Sequence, residues 1–244
     1  ADQEGVGYFQ LTMKGGRRWS SAAAYLTPAR TRKNLSIITD AQVEKVVIAE
    51  GRAIGVQICR HQRVETISAS ADVILSAGAI GSPQLLMLSG IGAGGELSAH
   101  GIEVLSDLPG VGKNLQDHLQ ARPVFKTTLS TVNTEINSYL KKGMIAAKYA
   151  FTQRGPMTMA ASLGTGFLKT ETHLETPDIQ FHIQPWSALK PSDGPHKFSA
   201  FTASVLQLRP ESAGRLTLSS TNIDDHPEIH PNYLSTDTDC RTVV

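Results

Sequence analysis

Residues 71–78, ADVILSAG, limit the possible folds because their apolar residues are contiguous instead of alternating with polar ones. A strand with one face in water alternates apolar and polar side chains, whereas contiguous apolar residues are typical of a strand covered on both faces. We therefore predict a central parallel strand here. Ser82 offers an N-cap and Pro83 a suitable first helical position, so a helix is expected with residues 84–88 as its body and Gly90 as its terminator.

The regions on either side of this unit show a different pattern. Residues 43–49, 53–59 and 64–69 are β-rich runs, and the turns between them are so short that the runs must be antiparallel neighbours in a three-stranded meander. Residues 137–150 are typical of an amphipathic helix. Apolar and polar residues then alternate at 179–184 and 215–218, which predicts antiparallel strands with one polar face. The predicted fold class is α/β plus α+β, with a boundary near residue 120.

Charge and composition narrow the possible partners. The 23 basic residues nearly balance the 22 acidic ones, and a net charge of +1 predicts no field that would recruit nucleic acid, anionic lipid or a highly charged substrate. A small neutral substrate is the default expectation. No apolar run is long enough to span a membrane, and no leader is recognised. The two cysteines, Cys59 and Cys240, are too few for a disulfide framework and indicate a reducing compartment, so we expect a cytoplasmic protein.

Four short motifs have a chemical interpretation and a structural one. The string GIGAGG at residues 90–95 matches a pyrophosphate-binding loop, but it follows a predicted helix instead of a strand, which favours a glycine-rich helix end. Residues 226–230, HPEIH, resemble zinc ligands, but the prolines favour a turn between strands. Ser82 in Gly81-Ser82-Pro83 lacks the second glycine of a nucleophile elbow and is better explained as a cap. Asp117 and His118 are either an acid–base pair or, more simply, a structural turn.

Residues 71–92, ADVILSAGAIGSPQLLMLSGIG, closely resemble the second signature of the glucose-methanol-choline (GMC) oxidoreductases. Residues 108–118, LPGVGKNLQDH, and residues 16–21, GRRWSS, resemble further segments of that family. Later runs, PDIQFH at 177–182 and GRLTL at 214–218, are similar to the start and middle of its substrate-domain sheet. The resemblance covers essentially the whole chain.

This resemblance implies FAD as the cofactor and the oxidation of an alcohol by hydride transfer to the flavin. Residues 1–121 would form the later portion of a doubly wound FAD-binding domain, and residues 122–244 an incomplete antiparallel-sheet substrate domain. Val43 matches a position that contacts adenine through its backbone. Ser76, Ala77 and Gly78 match the strand end that passes close to the ADP moiety, where small side chains let the backbone approach a ligand.

Two parts of the family pattern are not found in these 244 residues. One is the N-terminal G-x-G-x-x-G loop, and the other is the histidine that serves as general base. No catalytic residue and no metal ligand is therefore assigned. We expect a fragment of an FAD-dependent alcohol dehydrogenase or oxidase that is inactive alone. The alternative is a non-catalytic binding or inert domain that lacks flavin, and the oligomeric state is left open.

The resemblance also bears on the substrate. Choline-oxidising members place a glutamate four residues before the position of Phe167, whereas this chain has Leu163 there. A desolvated quaternary ammonium needs a counter-charge or an aromatic cage, and a leucine supplies neither. We therefore predict an uncharged, fairly apolar alcohol as the substrate. Trp186 is the alternative as a cation-binding face, and a register shift would instead put Leu163 in the core.

Overall fold

The computed structural model describes residues 3–244, apart from the side chain of Pro191; residues 1 and 2 of the predicted first domain lie outside this part of the chain. The strands are β1 Gly5–Tyr8, β2 Met13–Lys14, β3 Arg17–Arg18, β4 Gln42–Ala49, β5 Arg52–Arg60, β6 Arg63–Ser68, β7 Ile91–Gly92, β8 Ser106–Asp107, β9 Lys113–Leu115, β10 Gln120–Ala121, β11 Val124–Lys126, β12 Gly164–Leu168, β13 Ile179–Gln184, β14 Ala200–Gln207, β15 Gly214–Thr217 and β16 Glu228–His230. The α-helices are α1 Thr27–Ala29, α2 Gly78–Leu88, α3 Gly94–Ala99, α4 Val132–Ile136, α5 Tyr139–Thr152 and α6 Asp237–Val243.

The chain forms two compact units, and neither is contiguous in sequence. The first unit comprises residues 1–35, 118–209 and 240–244, and the second comprises residues 36–117 and 210–239. The chain therefore changes unit close to the predicted boundary and also near residues 35, 209 and 239. The division at residue 121 that the family resemblance implies stays a prediction for the intact protein.

The first unit is built on a six-stranded antiparallel sheet. Its strands run in the order β1-β12-β13-β14-β10, and β11 also pairs with β14. The predicted alternation at residues 179–184 is confirmed as β13, which pairs with β12 on one side and with β14 on the other. The predicted amphipathic helix is confirmed as α5, shifted two residues toward the C-terminus because Ser138 accepts a hydrogen bond from the backbone N–H of Lys141 (3.4 Å) and caps it.

The second unit contains the predicted meander and a small apolar core. Strands β4, β5 and β6 pair in that order, all antiparallel, as predicted. A separate sheet has the order β16-β15-β9, and β7 pairs with β8 in parallel. The core consists of Met87, Leu97, Leu216 and Leu218, which come from α2, α3 and the region of β15.

The two units carry opposite charge. The first unit has 17 basic and 7 acidic residues, which gives a net charge of +10. The second unit has 6 basic and 15 acidic residues, which gives a net charge of −9. The net charge of +1 therefore hides two strongly charged bodies. The expectation that the chain recruits no charged partner stays a prediction, since the total charge does not describe either unit by itself.

The predicted central strand is wrong for this chain. Residues 71–77 belong to no strand, and none of the residues described in the structure pairs with them. The side chain of Ile74 is 84% exposed. A central strand requires neighbours on both sides, and no segment of the described chain supplies one. Helix α2 follows directly, and it begins at Gly78, so Pro83 lies inside the helix instead of opening it.

Among the described residues, no helix combines the length and apolarity that crossing a bilayer requires.

Candidate functional site

Ser76, Ala77 and Gly78 form an exposed stretch at the start of α2. The hydroxyl of Ser82 accepts a hydrogen bond from the backbone N–H of Ala77 (3.1 Å), so Ser82 stabilises this turn and does not act as the helix N-cap that we predicted. Gly78 has a φ of +81°, and a Cβ atom there would meet no other atom within 4 Å. The first N–H groups of a helix have no partner within it, and they carry partial positive charge. An anionic ligand can thus approach the backbone closely here.

Val43 lies near the start of β4, opposite Ile58 of β5. Strand β4 is an outer strand of the meander, and a β-bulge follows Val43. The carbonyl oxygen of Val43 accepts a hydrogen bond from Nε2 of Gln42 (3.0 Å), and the side chain of Val43 is half-buried. The position therefore offers apolar surface together with the backbone of an edge strand, which suits contact with a flat ring. The contact with adenine itself stays a prediction.

A groove of about 710 Å³ lies beside β4, between the meander and residues 88–90, 100–105 and 221–223. Its lining includes Lys45 and Val46 but neither Val43 nor any of Ser76, Ala77 and Gly78. This groove is therefore separate from the predicted cofactor residues. Those residues lie on open surface, as the edge of an incomplete site would.

The glycine-rich string at residues 90–95 ends one helix and begins another. Gly90 has a φ of +82° directly after α2, which confirms the predicted glycine-rich helix end. The backbone N–H of Gly94 donates to Oδ1 of Asp107 (2.9 Å) at the start of α3. A carboxylate of the protein thus occupies the position that a phosphate would take in a pyrophosphate loop.

The other motifs have structural roles. Tyr233 donates a hydrogen bond to Asp117, and the ring of His118 contacts the carbonyl oxygen of Leu208 (Nε2–O 3.0 Å). The hydrogen bond to the carboxylate raises the pKa of Tyr233. His230 lies 3.3 Å from a carboxylate oxygen of Glu228 on β16. Within residues 3–244, no cluster of three or more histidine, cysteine or acidic side chains is placed to hold a metal ion.

Leu163 immediately precedes β12 and continues its hydrogen bonding. Its N–H donates to the carbonyl oxygen of Ile183 (2.9 Å), and its own carbonyl oxygen accepts from the N–H of Phe9 (3.1 Å). By the register of β12 against β13, Leu163 lies beside Gln184, and alternate residues place Thr165 on the same face of the sheet. The half-buried side chain of Leu163 is thus at the border of a polar sheet face.

That face is lined by uncharged hydrogen-bonding groups. Thr165, His182 and Ser204 form a row across β12, β13 and β14. The hydroxyl of Ser204 is buried and has no hydrogen-bond partner. Desolvation lowers the pKa of His182, and the nearby His118 lowers it further, so the neutral imidazole is favoured. The alternation at residues 179–184 predicted a polar face, but no sequence signal singled out Ser204.

No carboxylate occurs in this sheet. None of the residues in strands β1, β10, β11, β12, β13 and β14 is an aspartate or a glutamate. Trp186 uses its indole N–H to donate to the carbonyl oxygen of Ala161 (3.0 Å), and its ring is half-buried. The described sheet therefore supplies no counter-charge for a cationic substrate.

Comparisons with known proteins agree with these features. A family model for GMC oxidoreductases matches residues 1–120. The chain is 42% identical to an alcohol dehydrogenase [acceptor] of Pseudomonas putida, over all of this chain and 45% of that protein. It is 40% identical to the mitochondrial choline dehydrogenase of Homo sapiens, over 97% of this chain and 40% of that protein. The chain thus spans less than half the length of these relatives.

Solved structures show the same likeness. The pyridoxine 4-oxidase of Mesorbium loti superposes with a TM-score of 0.81 at 27% identity, over 98% of this chain and 43% of that one. The formate oxidase of Aspergillus oryzae superposes with a TM-score of 0.86 at 24% identity, over 97% of this chain and 46% of that one, which supports the fold. The predicted family and fold class are confirmed: the chain belongs to the GMC oxidoreductases, a family of FAD-dependent enzymes.

Proposed function

We propose that the intact protein oxidises the CH–OH group of an alcohol by transferring hydride to FAD, and that this chain supplies part of both its cofactor site and its substrate site. The observation that carries the proposal is the 42% identity to an alcohol dehydrogenase over the full length of the chain. The exposed small residues Ser76, Ala77 and Gly78 at the start of α2 fit a nucleotide cofactor, because backbone N–H groups and open space meet there.

Each part of the chain would contribute by binding and orientation. Ser76, Ala77 and Gly78 would hold the ADP portion of the cofactor at the positive end of α2, and Val43 would position the adenine. The polar face near Leu163 would orient the alcohol. FAD, when bound, supplies the acceptor for the hydride. The general base that removes the hydroxyl proton is assigned to no residue of this chain.

Replacing Val43 by aspartate tests the cofactor assignment. In the intact protein, Val43→Asp should weaken FAD binding at least about tenfold, because the carboxylate loses its hydration against the adenine and repels the diphosphate. The melting temperature of the apoprotein should change little, because the substitution acts mainly on the contact with the flavin cofactor. Val64→Asp, at an exposed position on β6 of the same meander, is the control and should leave the affinity unchanged. Unchanged FAD affinity in Val43→Asp would remove Val43 from the site.

The 244-residue chain should bind no flavin stoichiometrically and oxidise no alcohol. The reason is that residues 71–77, which include the cofactor residues Ser76 and Ala77, pair with no strand among the residues described. An absorbance spectrum of the purified chain after addition of FAD and gel filtration measures this directly. A flavin spectrum at one FAD per chain, with turnover of any alcohol, contradicts the expectation.

We propose an uncharged, fairly apolar alcohol as the substrate. The absence of carboxylates from the described strands of the six-stranded sheet supports this, as does the presence of Leu163. In the intact enzyme, kcat/KM should be higher for a medium-length primary alcohol than for choline. Leu163→Glu should reverse part of this preference, and Leu163→Gln is the matched uncharged control. A clear preference of the unmodified enzyme for choline would show that the assignment of Leu163 is wrong.

A cytoplasmic location is proposed from the same chain. The sequence contains only two cysteines, Cys59 and Cys240, too few for a disulfide framework, which suits a reducing compartment. Fractionation of cells that express the intact gene, with antibody detection and marker enzymes, tests this location.

A further inference from the structure

Helix α5 has its apolar side turned toward solvent. Only Ile145 and Tyr149 of its 14 residues are even half-buried. The side chains of Leu140, Met144 and Phe151 are 76%, 56% and 89% exposed. At 3.6 residues per turn, these three and Ala147 fall on one stripe, roughly 150° around the helix axis from Ile145 and Tyr149. An amphipathic helix of a globular protein would normally bury such a stripe.

One edge of this stripe is basic. Lys141 and Lys148 of α5 lie roughly 70–90° around the helix axis from the centre of the stripe and Arg154 follows the helix, whereas Lys142 lies on the opposite side. No acidic residue occurs between positions 136 and 170, nor between positions 5 and 39. The helix therefore presents apolar and cationic groups together, within a unit whose net charge is +10.

The C-terminal end of α5 is held by a second basic element, the β2–β3 hairpin. The hydroxyl of Tyr149 donates to the carbonyl oxygen of Gly16 (3.3 Å), and Nε of Arg17 donates to Oε1 of Gln153 (3.1 Å). The exposed side chains of Lys14, Arg17 and Arg18 thus lie on the element that anchors the helix. The anchoring contacts use the half-buried side of α5 and leave the apolar stripe free.

We propose that α5 is an interfacial helix, which docks the protein on a bilayer rich in anionic lipid. Large apolar side chains flanked by lysines are the features that let a helix lie in the headgroup region, with its apolar face toward the acyl chains. Each lysine or arginine near an anionic surface adds attraction. The helix is too short to span the bilayer, so it binds parallel to the surface. A nucleic acid would use the charge but not the stripe, and another protein would not require anionic lipid.

Vesicle co-sedimentation of the intact protein tests the proposal. The probes are phosphatidylcholine vesicles with and without about one third phosphatidylglycerol, at low and at high salt. We expect binding to the anionic vesicles, at least about tenfold weaker binding to the neutral ones, and release at high salt. Leu140→Ser with Phe151→Ser should weaken binding at least about tenfold, because the buried apolar area is lost. Lys141→Glu with Lys148→Glu should do the same, because both lysines lie at the basic edge of the stripe.

Two control variants separate the helix from general effects. Leu189→Ser removes a leucine that is 81% exposed outside α5 and should leave binding unchanged. Lys45→Glu with Lys113→Glu changes the total charge by the same amount in the second unit and should have little effect. Circular dichroism melts establish that each variant is folded. The proposal is overturned if the intact protein ignores anionic vesicles, if the α5 variants bind as tightly as the unmodified protein, or if they change only its oligomeric state.

Discussion

Asp239 shows how one buried carboxylate can fix a turn. Its side chain is 1% exposed, and its two oxygens accept hydrogen bonds from the backbone N–H groups of Glu211 (2.9 Å) and Ser212 (2.8 Å). A buried charge is tolerated only when it is hydrogen-bonded in this way. The contact joins the start of α6 to the residues that precede β15, and both belong to the second unit.

Asp239→Asn should lower the free energy of unfolding by about 1–3 kcal/mol. The amide of asparagine can accept only one of the two hydrogen bonds, and its NH₂ group would face a backbone N–H. Asp237→Asn, at an exposed position in the same helix, is the control and should change stability by less than about 0.5 kcal/mol. Urea unfolding followed by circular dichroism measures the free energy of unfolding of both variants. If the two substitutions lower it equally, the two hydrogen bonds of Asp239 add no stability of their own.

His182 should make stability depend on pH. Burial and the nearby His118 lower the pKa of His182 in the folded state, so between the folded and the unfolded pKa values the unfolded chain binds more protons. The neutral histidine thus contributes its full stability above about pH 6.5, and this contribution is lost as the pH falls toward the folded pKa. Between pH 7.5 and pH 5, the melting temperature of His182→Gln should fall less than that of the unmodified protein. Parallel curves for the two proteins would exclude this role.

The junction between the β2–β3 hairpin and α5 leaves no space for a side chain. Gly16 has a φ of +72°, and a Cβ atom there would lie 2.1 Å from the carbonyl oxygen of Gln153. Gly15 has a similar φ of +57°, but its Cβ atom would meet nothing within 4 Å. Gly16→Ala should therefore destabilise the protein by more than 2 kcal/mol, and Gly15→Ala by about 1 kcal/mol, the cost of the left-handed conformation alone. Thermal unfolding of the two variants separates the close contact from the backbone strain.

The elements that depend on local signals could be predicted from the sequence. The meander followed from short turns between β-rich runs, and α5 followed from its helical periodicity. The helix that begins at Gly78 starts five residues earlier than the sequence predicts, because Ser82 and Pro83 resemble the start of a helix. In the structure, Ser82 bonds back to Ala77 instead.

Elements that depend on distant partners could not be predicted in this way. Residues 71–77 have the composition of a buried strand but remain unpaired among the residues described. The pairing of β15 with β9 and the unpartnered hydroxyl of Ser204 depend on residues far away in sequence. The site residues Val43, Ser76, Ala77, Gly78 and Leu163 came from the family resemblance, and their contacts with cofactor and substrate stay predictions.

At the scale of the whole molecule, the separation of charge should control association. Two units of +10 and −9 within one chain attract those of neighbouring molecules at low ionic strength, where screening extends over about 30 Å. The second virial coefficient, measured by light scattering near pH 7.5, should be negative at about 10 mM salt and rise toward positive values at about 0.3 M. A coefficient that falls as salt is added would mean that the separated charges do not govern association.

The discontinuous units also set the order of events during synthesis on the ribosome. The backbone N–H of Leu218, a core residue, donates to Glu96, 122 positions earlier in the chain. Leu216 and Leu218 complete the core around Met87 and Leu97. Met87 and Leu97 therefore leave the ribosome long before Leu216 and Leu218 do. The nascent chain must therefore carry an unsatisfied apolar surface while the roughly 120 residues between Leu97 and Leu216 are added, and chaperones that recognise such surfaces can bind it during that interval.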